Sequence, residues 1–388
     1  MGRYSQNKDL VQKVAFAKLK KAIISGVSLD QFIKMMDKAK ECSFTAFTYG
    51  DGYDSDNNFH KNCTLLTFAY LDGRFDIAEY LLDSGAYSDV CGLLRDDARL
   101  NYCKDEKLEQ TGKRIEFLMN YINAHPEIKE HLGGDLSHSM SYLLQGILDV
   151  QDSRFKIRLS ELMLKSGVRV DIFTWRNLIG GILTNKIDDS VERALLNDYQ
   201  RLTDLFISYG GIKGNKVVYG HVVNEEIPVL KEILSYMAHM AQSARPLIRP
   251  LSTSFSTSFG KTIDNRKEAI SRLLSKMACY TIEKFYEAGA DINKADSDGE
   301  TALHVACSTV MKFQDGTLSG FDIVTKLLSY GADIDAIDSV GDTPVEKIKI
   351  EGDWGKTREY MRQVAGKIQE HRREVELADR YDELEYAR

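Results

Sequence analysis

The sequence predicts an all-α solenoid of about seven helix pairs, with short β-turn fingers between the pairs and a helical cap at each end. Three observations carry that expectation. A segment running from Ala290-Asp291-Ile292-Asn293 through Gly299-Glu300-Thr301 recurs from Ala332-Asp333-Ile334-Asp335 through Gly341-Asp342-Thr343, an offset of 42 residues. Glycines stand just past apolar-periodic stretches at Gly85, Gly289 and Gly331, where a left-handed residue closes a helix and glycine adopts that conformation without strain. Thr64, Thr301 and Thr343 stand where the next helix must begin and are suited to cap it, and Pro344 at a first helical position loses no hydrogen bond. A helix pair of this kind exposes an apolar face that it cannot bury alone, so stacking on neighbours is its source of a continuous core.

Residues 1–60 read as a cap followed by a long finger. Helices are expected over Val11–Ile24 and Leu29–Lys40, with Val11, Val14, Ala15, Leu19, Ala22 and Ile23 on one face and Lys8, Lys13, Lys18, Lys20, Lys21, Lys34, Lys38 and Lys40 giving a basic character. Asp51, Asp54 and Asp56, with Asn57 and Asn58, alternate as calcium ligands can. They lack the glycine and terminal glutamate of an EF-hand loop, so an elongated finger is the better reading.

Residues 61–350 read as repeats. Thr64-Leu65-Leu66-Thr67-Phe68-Ala69, Gly73, Ile77, Leu81-Leu82 and Gly85-Ala86 form one compact unit. The pattern then weakens while its rhythm persists, with apolar ends at Ile115–Tyr121, Leu162–Val168 and Leu205–Gly211. Val217–His221 followed by Val229–Leu234 is expected to add another compact pair. Residues 244–264 interrupt the repeats: Pro246, Pro250 and a tandem Ser-Thr-Ser-Phe argue for a loop rather than a repeat helix, with phosphorylation of Ser252 beside Arg249 as a regulatory option. Residues 351–388 read as a charged helix with Tyr360, Met361, Val364, Ile368 and Val375 at mostly helical spacing.

Thr301-Ala302-Leu303-His304-Val305-Ala306 and Thr64-Leu65-Leu66-Thr67-Phe68-Ala69, each with its glycine stop, resemble the ankyrin repeat, a β-turn finger plus two antiparallel helices opened by a Thr-Pro-Leu-His corner. The resemblance is specific in three copies, at residues 64–86, 290–332 and from 332 onward. About nine extra residues, Met311 to Gly320, between the helices of the second copy account for the long offset. Variable repeat length and divergence are similar to bacterial, viral or parasite ankyrin proteins that meet host factors. Glu374, Glu376, Glu383 and Glu385 resemble the glutamate-rich export signals of effectors from intracellular bacteria.

Composition narrows the function classes. The 388 residues are 43% hydrophobic and 28% charged, without an apolar run long enough to span a membrane. A formal net charge of −7 offers no global positive field for nucleic acid. Six cysteines without CxxC pairs and a start lacking a signal-peptide core fit the reducing cytosol, or export from it into a host cell.

Chemistry finds few footholds. Phosphate-binding glycine loops are absent. His304 and Cys307 share a helical face, yet His304 occupies the corner position that the resemblance implies is hydrogen-bonded within its turn. His60 and Cys63 have zinc-like spacing without a second pair. The resemblance therefore implies a scaffold that catalyses nothing, needs no cofactor or metal, and binds another protein on its concave face. By that resemblance the contacts fall on Asp296, Ser297, Asp298 and Glu300 of one finger and Asp338, Ser339 and Asp342 of the next, and their acidity points to a basic or polar partner patch, a host protein if the chain is an effector. Two alternatives stay open: a cysteine-dependent hydrolase within residues 86–230, around Cys103 with His125, His131 and His138, and a membrane-surface adaptor acting through the basic N-terminal helix.

Overall fold

A computed structural model describes residues 2–40, 50–53, 59–99, 105–183, 189–210, 218–219, 222–223, 229–243, 258–309, 319–347 and a few positions near 370. Among them are fourteen helices and two antiparallel two-stranded hairpins, divided between two compact units, Met1–Val168 and Arg169–Arg388.

The first unit holds α1 (Gly2–Ile24), α2 (Leu29–Lys40), β1 (Gly50–Tyr53), β2 (Phe59–Cys63), α3 (Leu65–Leu71), α4 (Phe75–Asp83), α5 (Val90–Asp97), α6 (Asp105–Ala124), α7 (Pro126–Leu148) and α8 (Ser153–Lys165). Successive helices pair, and members of neighbouring pairs stack: α1 on α3, α2 on α4, α5 on α7 and α6 on α8. Leu19 and Ile23 of α1, Phe32 and Met36 of α2, and Leu65, Phe68, Ile77 and Leu81 of α3 and α4 are completely or nearly completely buried. Edge-on ring contacts tie them together, Phe16 to Phe68 at 5.9 Å and Phe32 to Tyr80 at 6.3 Å. Glycine is required where α7 crosses α5: a Cβ on Gly146 would lie 2.0 Å from the Ala98 carbonyl oxygen, so only a bare backbone permits the approach.

The second unit holds α9 (Ile172–Leu183), α10 (Asp189–Ser208), β3 (Val218–Tyr219), β4 (Val222–Val223), α11 (Val229–Ser243), α12 (Ser258–Glu287), α13 (Ala302–Thr309) and α14 (Ser319–Ser329). Here two rows are clear. Helices α9, α11 and α13 form one row, α10, α12 and α14 the other, and each member of one row pairs with its sequence neighbour in the other. Trp175, fully buried, meets Phe206 at 5.2 Å and Phe285 at 5.6 Å. Ion pairs run between neighbours of a row: Arg176 to Glu232 joins α9 to α11, Arg272 and Lys276 to Glu192 joins α12 to α10, and Lys326 to Glu283 joins α14 to α12.

Both units have the repeat architecture expected from the sequence, and the glycine stops behave as argued: Gly85, Gly167, Gly210, Gly289 and Gly331 all follow helices with positive φ. α2 falls where expected, α1 ends at Ile24 as expected but begins at Gly2 rather than Val11, and the elongated finger is the β1–β2 hairpin, with Asp54, Asp56, Asn57 and Asn58 outside the described residues. Three expectations are corrected. Val217–His221 does not open a helix pair; Val218–Tyr219 pairs antiparallel with Val222–Val223, as suits a β-branched run. Residues 258–264, assigned to the interrupting loop, instead begin α12, while 244–257 lie outside the described residues, as does nearly all of the charged tail. Thr343 and Pro344 open a turn over 344–347 rather than a described terminal helix.

Candidate finger-tip interface

The candidate partner-binding residues lie in two consecutive fingers of the second unit, between α12 and α13 and after α14. The fingers are built identically. In the first, Asp296 Oδ1 accepts the backbone N–H of Asp298 at 3.0 Å and of Glu300 at 2.9 Å, and the main chains of Asp296 and Glu300 pair at 3.1 Å. In the second, Asp338 Oδ1 accepts the N–H of Val340 at 2.9 Å and of Asp342 at 2.8 Å, and Asp338 pairs with Asp342 at 3.1 Å. An aspartate in this position replaces water as the acceptor for two turn amides, which is why the turn needs it.

The fingers are also joined. Ser339 N–H donates to the Asp298 carbonyl at 2.8 Å. The Asn293 side chain bridges the base, donating to the Gly331 carbonyl at 3.0 Å and accepting from Asp333 N–H at 2.7 Å. Gly299, at φ 75°, lets the two backbones meet; a Cβ there would lie 2.9 Å from Asp338 Cα.

Two lysines thread this acidic surface. Lys231 of α11, only 9% exposed at its side chain, contacts Asp296 and reaches Glu300 Oε2 at 3.2 Å. Lys347 contacts Asp338 and reaches Glu300 Oε1 at 3.3 Å. Lys347 and the Val340 and Asp342 amides, against the opposing effect of burial, hold the Asp338 carboxyl down at about 2. Burial pushes the Asp296 carboxyl up, yet Lys231 and the Glu300 and Asp298 amides outweigh it and leave it below the ordinary range. Asp296, Glu300 and Asp338 therefore spend their charge inside the finger pair.

The seven sequence candidates thus divide. Asp296 and Asp338 are turn anchors, Asp338 fully buried; Glu300 is a bridging carboxylate; Asp342 is half-buried, its carbonyl used by the turn. Ser297, Asp298 and Ser339 are exposed at the tips. Sequence reasoning missed Lys231 and Lys347, which no local pattern marks, and also Ile337 and Val340, which are 65% and 78% exposed.

The corner histidine confirms its place. Because Nε2 lies 3.2 Å from the Asp342 carbonyl oxygen, it must carry the proton, leaving Nδ1 to accept Thr301 N–H at 3.1 Å. Both nitrogens are occupied, and burial pushes the neighbouring Cys307 thiol up to about 12, the reverse of what a nucleophile needs.

The other chemical candidates are not brought together. His125 donates from Nδ1 to the Tyr121 carbonyl at 2.9 Å and stacks on that tyrosine, His131 meets Tyr87 edge-on, and His138 is exposed. Cys103 lies outside the described residues. Burial raises the Cys91 thiol as well. Among the described residues no group of three or more His, Cys, Asp and Glu side chains is placed to hold a metal, and no helix is long and apolar enough to cross a membrane.

Comparison with known proteins agrees with this geometry at its centre. No curated protein matches the chain. The family model for the ankyrin repeat matches residues 298–339, spanning the tip of the first finger, α13, α14 and the tip of the second. With the paired helices, the Thr-His corner and the glycine stop all present in that segment, residues 298–339 form an ankyrin repeat.

Proposed function

We propose that the chain is a non-catalytic protein-binding scaffold whose contact surface is the exposed edge of the two joined fingers, Ser297 and Asp298 with Ser339 and its neighbours. The observation that carries this reading is the finger pair itself: two turns with the same internal hydrogen bonds, locked to each other by Asn293, by the Ser339–Asp298 bond and by Lys347, with Lys231 tying the first finger to α11. A surface so fixed has already lost the conformational entropy that a flexible loop would lose on contact, so more of each contact's energy appears as affinity. Asp296, Glu300, Asp338 and Asp342 act in this reading by shaping the tips rather than by touching the partner. The hydrolase reading has no support in the way His125, His131, His138 and Cys91 are placed. The membrane-adaptor reading rests on the lysines of α1 and α2 alone.

The test is selection of a phage-displayed random peptide library on the immobilised chain, followed by affinity measurement with Asp298→Lys plus Ser339→Arg. Both positions are exposed, so the fold should survive, as an unchanged urea midpoint would verify. The expected result is loss of at least about 1.4 kcal/mol of binding, about tenfold in Kd. Selected peptides that bind the double variant unchanged would refute the assignment.

A further inference from the structure

The two fingers share their architecture but not their tips. At the 42-residue offset, Asp296, Ser297, Gly299 and Thr301 correspond to Asp338, Ser339, Gly341 and Thr343, whereas Ala295 and Asp298 correspond to Ile337 and Val340. Nothing in the turn calls for these two apolar residues. The turn needs only the Val340 amide, given to Asp338 Oδ1, and β-branched side chains are poor turn formers. Neither is sheltered by the fold: they are the two most exposed of the large hydrophobic side chains among the described residues, ahead of Val14 and Tyr286 at 48% each. Two β-branched side chains three residues apart on one rigid turn, left in water, are what a binding surface keeps for its partner.

The charge beside them is predominantly acidic. Asp298 stands on the adjoining tip, bonded through its carbonyl to Ser339, and Asp291 and Asp333 lie exposed at the finger bases, each accepting a backbone N–H. Two of the three lysines near this edge are committed inward, Lys231 to Asp296 and Glu300, Lys347 to Asp338 and Glu300; the third, Lys294, stands at the base of the first finger, so acidic groups still outnumber cations around the tips.

Resting on the finger-tip reading above, we infer that the second finger binds a partner segment in which an aliphatic or aromatic side chain is flanked by lysine or arginine: the apolar residue packs on Ile337 and Val340 while the cation faces Asp298. Acidic or purely polar segments would leave the apolar pair in water or set like charges together.

A synthetic peptide array tests this with the intact chain as the probe. Four peptide classes share one length and differ in composition: apolar with cationic, apolar with acidic, polar with cationic, and polar alone. The expected result is preferential binding of the first class. That binding should fall about tenfold or more for Ile337→Ser plus Val340→Ser at any salt, and should fall for Asp298→Asn with a weakened salt dependence. Because all three positions are exposed, wild-type urea midpoints are expected for both variants. Preferential binding of acidic or polar peptides that is still lost in Asp298→Lys plus Ser339→Arg would overturn the partner class while leaving the finger interface standing. Binding of any class that neither set of variants disturbs, or no binding of the first class, would overturn the inference, and insensitivity to both sets would remove the finger reading as well.

Discussion

The corner at Thr64 and the corner at Thr301 begin the same kind of helix and solve its first turn differently. In the first unit the acceptor is borrowed from the start of α5: one carboxylate oxygen of Asp89 takes the Thr64 N–H at 2.8 Å, the Thr64 hydroxyl at 2.8 Å and the Thr67 hydroxyl at 2.6 Å. In the second unit the acceptor is local. His304 takes the Thr301 N–H on one nitrogen and passes a hydrogen bond to Asp342, in the next finger, from the other. Both corners bond each repeat to the one that follows, 25 residues on in one case and 38 in the other. Capping and stacking are thus one interaction here, which explains how repeats with so little sequence in common keep the same geometry. The corner inside the segment matched by the family model has its acceptor at a fixed short spacing, whereas the first unit's acceptor comes from elsewhere in the chain.

The difference makes ordered predictions. Asp89→Ala should have the largest effect, because it leaves three donors without their acceptor, Thr64 and Thr67 being buried. At about 1–3 kcal/mol for each unsatisfied buried group, a loss of about 3 kcal/mol or more is expected in urea unfolding. His304→Ala should follow at about 2–3 kcal/mol, since Thr301 N–H loses its acceptor and a buried ring leaves a cavity. His304→Gln, which can accept and donate on one amide, should recover part of that loss. Gly299→Ala should cost about 1–2 kcal/mol through the positive φ and the close Asp338 backbone. The smallest effect belongs to Lys284→Ala, whose partner Glu287 on α12 is exposed, and which should leave the urea midpoint nearly unchanged. A larger loss for Lys284→Ala than for His304→Ala would break the comparison.

Acidity sharpens it further. Asp338 has a folded pKa of about 2, against about 3.9 for an unfolded aspartate. Its contribution is complete above the unfolded value and disappears as pH falls through the folded one, since the unfolded chain binds the proton first. Stability should therefore drop between about pH 4 and pH 2, and Asp338→Asn should flatten that slope. Asp296, lowered as well, adds to the same window. An unchanged slope in the asparagine variant would mean that the Lys347 contact does not form in solution.

Local rules were enough for much of this fold. Glycines after helices, threonines before them and apolar spacing at 3.6 residues are short-range signals, and Gly85, Gly289, Gly331, Thr64 and Thr301 carried them. Val217–His221 misled because a short β-branched run has no periodicity to separate strand from helix. Residues 258–264 misled because serine and phenylalanine following a proline-containing stretch look like a loop, whereas they form the first turns of a 30-residue helix. In the fingers, the aspartates were legible as polar turn residues, but their use was not. Whether an aspartate faces solvent or anchors its own turn depends on Lys231 and Lys347, one of which lies 65 residues away in sequence. Ile337 and Val340 were visible in the sequence and passed over, because an apolar residue in a repeat is ordinarily core.

The claim on which the account turns is that binding occurs at the joined tips of the two fingers around Asp298 and Ser339. Hydrogen–deuterium exchange of the whole chain, with and without a peptide selected from the library, tests it most directly. The account predicts new protection at residues 295–300 and 337–342 with the first unit unchanged; protection confined to the first unit, for example around Cys91, Ser139 and His138, would contradict it.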